Sequence, residues 1–172
     1  MILVTTGRNP TQGTRRLSRE LARYLPGATR LVRGKLSLRQ IADHLAAAGI
    51  TRLVMVYRGS GSPGQLELMR LEGNELKRVP PTIFIQNIEF TPRSRARRMV
   101  KVDSVICGSQ KTLPLARALS NFLDLPLTED LMSDVKHPLH ISCDRLRGAR
   151  PILSLPGGEA RGLTLTVKKL EW

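Results

Sequence analysis

Four arginines, Arg15, Arg16, Arg19 and Arg23, stand in a segment whose apolar residues Leu17, Leu21, Tyr24 and Leu25 recur at helical spacing. At 100° per residue the arginines gather on the side opposite the leucines, and Glu20 is the local countercharge. Guanidinium groups on one face repel one another unless carboxylates are interspersed, so this face is suited to an anion. The alternative is a solvated face whose arginines lie flat over apolar surface. Arg is the cation that grips phosphate oxygens in pairs and stacks on bases, and 21 of the 28 Lys and Arg residues are Arg.

The whole chain has 172 residues, with 28 Lys plus Arg against 14 Asp plus Glu, a net charge of +14. A thermophile's preference for Arg would explain the Arg to Lys ratio but not the surplus of cations. A polyanion, nucleic acid first, is the expected partner. The surplus is also local: residues 1–58 hold 11 basic and 2 acidic side chains, and residues 91–101 hold 5 basic and none acidic. The candidate phosphate contacts are therefore Arg8, Arg15, Arg16, Arg19, Arg23, Arg33 and Lys35 in the first stretch, a signal for a polyanion that does not distinguish RNA from DNA. In the second they are Arg93, Arg95, Arg97, Arg98 and Lys101. That second run, TPRSRARRMVK, is broken by Pro and Ser and reads as a connector that closes over phosphates as it orders; the alternative is a solvated linker.

Two Gly-led loops lie between a strand and a helix, where free N–H groups and the helix dipole favour anions. The first, Thr5 to Thr14, lacks the GxxxxGK spacing of a nucleotide-binding loop; the second, Gly108-Ser109-Gln110-Lys111-Thr112, has a Lys-Thr pair without the leading glycine at the right distance. Lys111 joins the phosphate-contact candidates, while Thr11 and Thr112 read as N-caps. An α/β enzyme holding a nucleotide or phosphorylated small molecule at one of these loops is the alternative function.

Catalytic groupings are sparse. Asp43 and His44 adjoin on the second helix, and His140 and Cys143 fall on opposite faces of a strand. No His, Cys or carboxylate spacing fits a metal, so no catalytic residue, metal or cofactor is expected. Cys107 and Cys143 lack CxxC spacing and read as buried thiols of a reducing compartment. The six aromatic residues sit in apolar patterns, which disfavours a base-stacking platform. No apolar run approaches the roughly 20 residues that span a bilayer, so neither membrane nor secretory signal is expected.

The elements that must position these residues follow from periodicity and punctuation. Ile2 to Thr6 reads as a buried strand, Thr11 to Leu25 as a helix, and Thr29 to Val32 as a weak strand. Ser37 with Gln40 forms a capping box ahead of a helix carrying Leu38, Ile41, Ala42 and Leu45, ended by Gly49. Arg52 to Tyr57, Gln65 to Leu71 and Thr82 to Phe90 read as strands, with turns at Gly59 to Gly64 and Gly73-Asn74. The pattern then restarts, with strand Val102 to Cys107, helix Thr112 to Leu123, and strands near Leu139 to Cys143, Ile152 to Leu155 and Leu163 to Lys168. VTTGRNPTQGTRRLSRELARYLP set beside VICGSQKTLPLARALSNFLDLP suggests a duplicated strand–loop–helix unit. The class is α/β or α+β, one domain over residues 1–172, with halves of about 1–80 and 81–172.

The run ILVTTGRNPTQGTRRLSRELARYLP, the Arg33-Gly34-Lys35 turn before Leu36-Ser37-Leu38, and the Pro80-Pro81-Thr82 strand with Phe84 and Ile85 together resemble the Brix-domain family. In that family a strand leads into a Ser/Thr-Arg-x-Pro-Ser/Thr loop and an Arg-rich helix, with a Gly-Pro-Thr-x-x-Phe-like segment midway. Gly7 stands where the family usually has Ser, and Pro80 and Pro81 depart from the Gly-Pro pair. The resemblance, closest to the short archaeal version, implies a ribosome-biogenesis factor that binds precursor rRNA and works beside other assembly proteins. The expected setting is the archaeal cytoplasm, or the nucleolus in a eukaryote. It also implies two similar halves, each a mixed sheet with helices like the anticodon-binding domain of class IIa aminoacyl-tRNA synthetases. A tRNA- or protein-binding module of that fold is the remaining alternative.

Overall fold

A strand without polar alternation needs cover on both faces, and β1 (Ile2–Thr6) has it, with all five residues buried. The computed structural model describes residues 1–59, 63–90, 100–129, 136–144, 150–157 and 160–172. The chain divides into two compact units, Met1–Phe84 with Leu170–Trp172, and Ile85–Lys169.

In the first unit β1 is followed by α1 (Gln12–Tyr24), β2 (Ala28–Arg30), α2 (Leu38–Ala47), β3 (Arg52–Arg58), β4 (Pro63–Glu72) and β5 (Glu75–Phe90), whose residues from Ile85 onward count with the second unit. The strand order is β2-β1-β3-β4-β5; β1 is parallel to β2 and β3, and β4 is antiparallel to both β3 and β5. The path from β1 to β2 moves one way across the sheet and the path from β2 to β3 moves back the other way. Right-handed crossovers therefore place α1 and α2 on opposite faces. Ile41 and Leu45 of α2 pack on the face bearing Leu3, Leu53, Met55 and Met69. On the other face the Arg30 Nε of β2 donates to Ser18 Oγ of α1 at 3.2 Å.

The local signals act as their chemistry requires. The Ser37 and Gln40 capping box is formed in both directions, and Gly49 closes α2 at φ +63°, a conformation that favours glycine. Leu38, expected on the apolar stripe, stays 42 % exposed. Pro80 and Pro81 lie inside β5, whereas the sequence reading began that strand at Thr82. The β4–β5 register shifts between Leu66 and Leu68, and this irregularity lets a proline-bearing strand remain paired.

The second unit contains β6 (Ser104–Cys107), a 3-10 turn (Gln110–Thr112), α3 (Leu113–Leu123), β7 (Leu127–Thr128), β8 (Pro138–Asp144), β9 (Arg150–Gly157) and β10 (Ala160–Glu171). Its order is β7-β6-β8-β9-β10, with β6 parallel to β7 and β8 and the remaining pairs antiparallel. The final residues of β10, Leu170 and Glu171, count with the first unit. Thr112 is not a side-chain N-cap of α3: its hydroxyl donates to the Ser109 carbonyl at 2.9 Å, and Ser109 Oγ accepts from Lys111 N at 3.3 Å. The 3-10 turn inserted before α3 moves the capping position back to Ser109. The fold is mixed α/β.

Candidate nucleic-acid interface

The Arg-rich helix is anchored at its start by Thr11, whose Oγ1 accepts from Thr14 N at 3.2 Å and lies 2.8 Å from Thr14 Oγ1. Its inner face buries Thr14, Leu17, Ser18, Glu20 and Leu21. With those positions turned inward, Arg15, Arg16, Arg19 and Arg23 occupy a sector of about 100° on the outer side. Arg15, Arg16 and Arg19 are exposed, and Arg23 is half-buried. Arg23 is paired: its guanidinium lies 3.2 Å from Glu20 Oε1, and burial of Glu20 makes that contact more than a solvated surface pair. The first turn carries no acidic residue, so the positive end of the helix dipole is unopposed there.

Arg8 is exposed in the loop between β1 and α1. The loop is pinned by Gly7 N, which donates to Val56 O at 2.8 Å, by Asn9 at φ +53°, and by the Thr11 cap. Lys35 is exposed after Gly34, in the turn leading to α2. Lys111 is exposed in the 3-10 turn of the second unit. Lys101 is half-buried, and burial lowers its ammonium pKa from the ordinary value. Arg93, Arg95, Arg97 and Arg98 lie outside the described residues.

Arg33 departs from the sequence reading. Only 7 % of it is exposed; its Nε donates to Leu36 O at 3.0 Å and its Nη1 meets Met55 Sδ at 3.7 Å. Leu31 and Leu36 join the apolar cluster around α2, which draws the intervening backbone onto the sheet and the guanidinium underneath it. Arg33 thus braces its own turn and does not offer its fork to solvent.

Sequence reasoning missed the cluster under the first loop. Tyr57 packs its ring where a Cβ on Gly7 would sit, only 2.6 Å from Cδ1. Burial, followed by the Glu67 carboxylate beside it, pushes the Tyr57 phenol up to about 12, against the opposing pull of Arg33 and Arg78. Glu67 is 3 % exposed; its Oε1 accepts from Gln65 Nε2 at 2.7 Å and lies 3.3 Å from Arg78 Nη2. The available signal was strand alternation, which sets Met55 and Tyr57 on one face; in the β3–β4 register Glu67 and Gln65 lie across from them. Among the described residues, no group of three or more His, Cys, Asp and Glu is placed to hold a metal ion. No helix among them is long and apolar enough to cross a membrane.

No family model matches the chain. Curated relatives named "Probable Brix domain-containing ribosomal biogenesis protein" do. The one from Aeropyrum pernix is 32 % identical over 95 residues, 55 % of this chain and 51 % of that protein. The one from Pyrobaculum aerophilum is 31 % identical over 62 residues, covering 36 % and 34 %. The aligned part of the chain thus spans about half the length of the first relative, 51 %, and less of the second. Among solved structures, a probable ribosomal biogenesis protein from Aeropyrum pernix superposes with a TM-score of 0.74 at 22 % identity, covering 98 % of this chain and 95 % of that one. Mil, an archaeal Imp4-like protein, gives 0.69 at 23 % identity and 98 % coverage of both.

The fold is therefore shared with archaeal ribosomal-biogenesis and Imp4-like proteins. The resemblance read from the first loop and helix is borne out, since the chain is similar in sequence to Brix-domain ribosomal biogenesis proteins of archaea. Their names describe ribosomal biogenesis proteins.

Proposed function

We propose that the chain is a non-enzymatic ribosome-assembly factor of the archaeal cytoplasm that binds precursor rRNA by its phosphates and steers its folding and processing. The observation that carries this reading is the stripe on α1, where three exposed arginines follow an acid-free first turn. Arg8 and Lys35 extend the contacts within the first unit; Arg93, Arg95, Arg97, Arg98, Lys101 and Lys111 supply those of the second. Phosphate contact positions the protein on RNA, and the absence of aromatic residues from this helix face fits shape and backbone recognition better than base stacking. The shared strand order of the two units supports their origin as copies of one module, each like an anticodon-binding domain of class IIa aminoacyl-tRNA synthetases.

The enzyme alternative loses support at the first loop. Open α/β sheets bind small ligands at the carboxyl ends of strands flanking the switch point. Here the Tyr57 ring already lies against Gly7 at that place.

The test is affinity for a stem–loop RNA measured against salt. Each phosphate contact contributes roughly 0.7 to 0.9 to the slope of log affinity on log salt, so replacing Arg15, Arg16 and Arg19 with Ala should flatten it by about two. An unchanged slope would remove α1 from the interface. Cross-linking in cells followed by sequencing of the bound RNA should return precursor rRNA; recovery of tRNA alone would instead favour a tRNA-binding module.

A further inference from the structure

Gly7 ends β1 directly before the exposed Arg8, and the reason for glycine there is space. A Cβ at this position would stand 2.6 Å from Cδ1 and 3.2 Å from Cε1 of Tyr57, far inside contact distance. The ring has little room to retreat. It packs against the apolar cluster of Leu53, Met55 and Met69, and the buried Glu67 carboxylate lies near its hydroxyl. Glu67 is in turn held by Gln65 and Arg78. Arg33, fixed to Leu36 O and Met55 Sδ, closes the same cluster.

We propose that Tyr57 is a positioning residue for RNA binding: its ring, wedged against Gly7, fixes the start of the β1–α1 loop and so holds Arg8 in line with the arginine stripe of α1. This rests on the RNA-binding reading above. The loop has three anchors: the Gly7 N to Val56 O bond, Asn9 in a left-handed conformation and the Thr11 cap. The last two fix the approach to the helix. Only the first fixes where the chain leaves the sheet, and the tyrosine ring is the side-chain wall of that anchor. The same contact accounts for glycine at position 7. Any side chain at residue 7 requires a smaller one at residue 57.

The test is a double-mutant cycle between Tyr57 and Arg8, read as the salt slope of stem–loop RNA affinity. Tyr57→Leu keeps an apolar side chain in the cluster and removes the wall. It should lower the slope by roughly 0.7 to 0.9, matching Arg8→Ala, and the two together should lose no more than either alone. A general loss of structure would instead erode the α1 contacts as well, giving a larger drop that adds to that of Arg8→Ala. A Tyr57→Leu slope equal to the parent's, or losses that add, overturns the proposal. Gly7→Ala should lower the unfolding midpoint, and Gly7→Ala with Tyr57→Leu should recover it; no recovery also overturns the proposal. Failure of the parent chain to bind RNA salt-dependently defeats the RNA reading and this proposal with it, whereas the midpoint cycle needs no RNA and separates the two failures.

Discussion

Helices α1 and α3 bury their residues at one spacing and differ almost entirely in what they expose. Thr14, Leu17, Ser18, Glu20 and Leu21 are buried in α1; Ala116, Leu119, Ser120, Phe122 and Leu123 are buried in α3 at the same intervals, with Leu115 buried in addition. On that alignment Arg15, Arg16, Arg19 and Arg23 stand opposite Arg117, Ala118, Asn121 and Leu125. The strand-to-loop joints also correspond, since Gly7 N donates to Val56 O and Gly108 N to Ile141 O, each at 2.8 Å. The core spacing is what each unit needs to fold, and α3 meets it with one arginine where α1 carries four. The charge on α1 is therefore not a requirement of the fold. Glu20 and Phe122 make the same point from inside: α1 buries a carboxylate that pairs with Arg23, and α3 fills that position with an aromatic ring.

The largest expected effects test the shared part of this comparison. Leu17 is 0 % exposed and Leu119 is 5 % exposed, so Leu17→Ala and Leu119→Ala should each destabilise by about 2 to 5 kcal/mol in chemical denaturation. A cost under about 1 kcal/mol at either site would mean that the two helices do not use these leucines alike. A smaller effect tests the differing part. Ala118→Arg with Asn121→Arg places cations on α3 where α1 has Arg16 and Arg19. If a guanidinium face on this scaffold is sufficient to engage RNA phosphates, the salt slope should steepen by roughly one to two with little change in stability. No steepening would show that the α1 contacts depend on their own surroundings, the Arg8 loop above all.

The sequence carried most of the elements and the charged face, because helical period, strand alternation and capping chemistry are local. Thr11, the Ser37 and Gln40 box and the Gly73-Asn74 turn each act within a few residues, and each appears where it was expected. Arg33 was misread because its burial is decided by Leu31 and Leu36 packing onto a sheet assembled from distant strands. Exposure is a tertiary property that a cation count does not contain. Tyr57, Glu67 and Arg78 went unnoticed for the same reason: they meet only after β3, β4 and β5 are in register. Thr112 shows the converse limit, since a single 3-10 turn moved the cap by three residues.

The smallest effect separates the two units by pH. The position after Val56 is Tyr57, and the position after Ile141 is Ser142, which does not titrate in this range. Burial and the nearby Glu67 carboxylate hold the Tyr57 phenol at about 12 in the folded protein, above its ordinary value of 10.0. A group whose folded pKa is raised keeps its proton longer in the folded state. The associated stability is thus complete below about pH 10 and is lost as pH climbs from 10 toward 12. The full difference would correspond to about 2.7 kcal/mol, and the ring's partial exposure to water reduces the expected loss to about 1 kcal/mol. Urea titrations of the parent and of Tyr57→Phe across that window should converge on a difference of this size, with Tyr57→Phe the less pH-dependent protein. Parallel curves would show that neither burial nor the Glu67 carboxylate holds the phenol's proton in the folded protein, a result that leaves the ring's contact with Gly7 untouched.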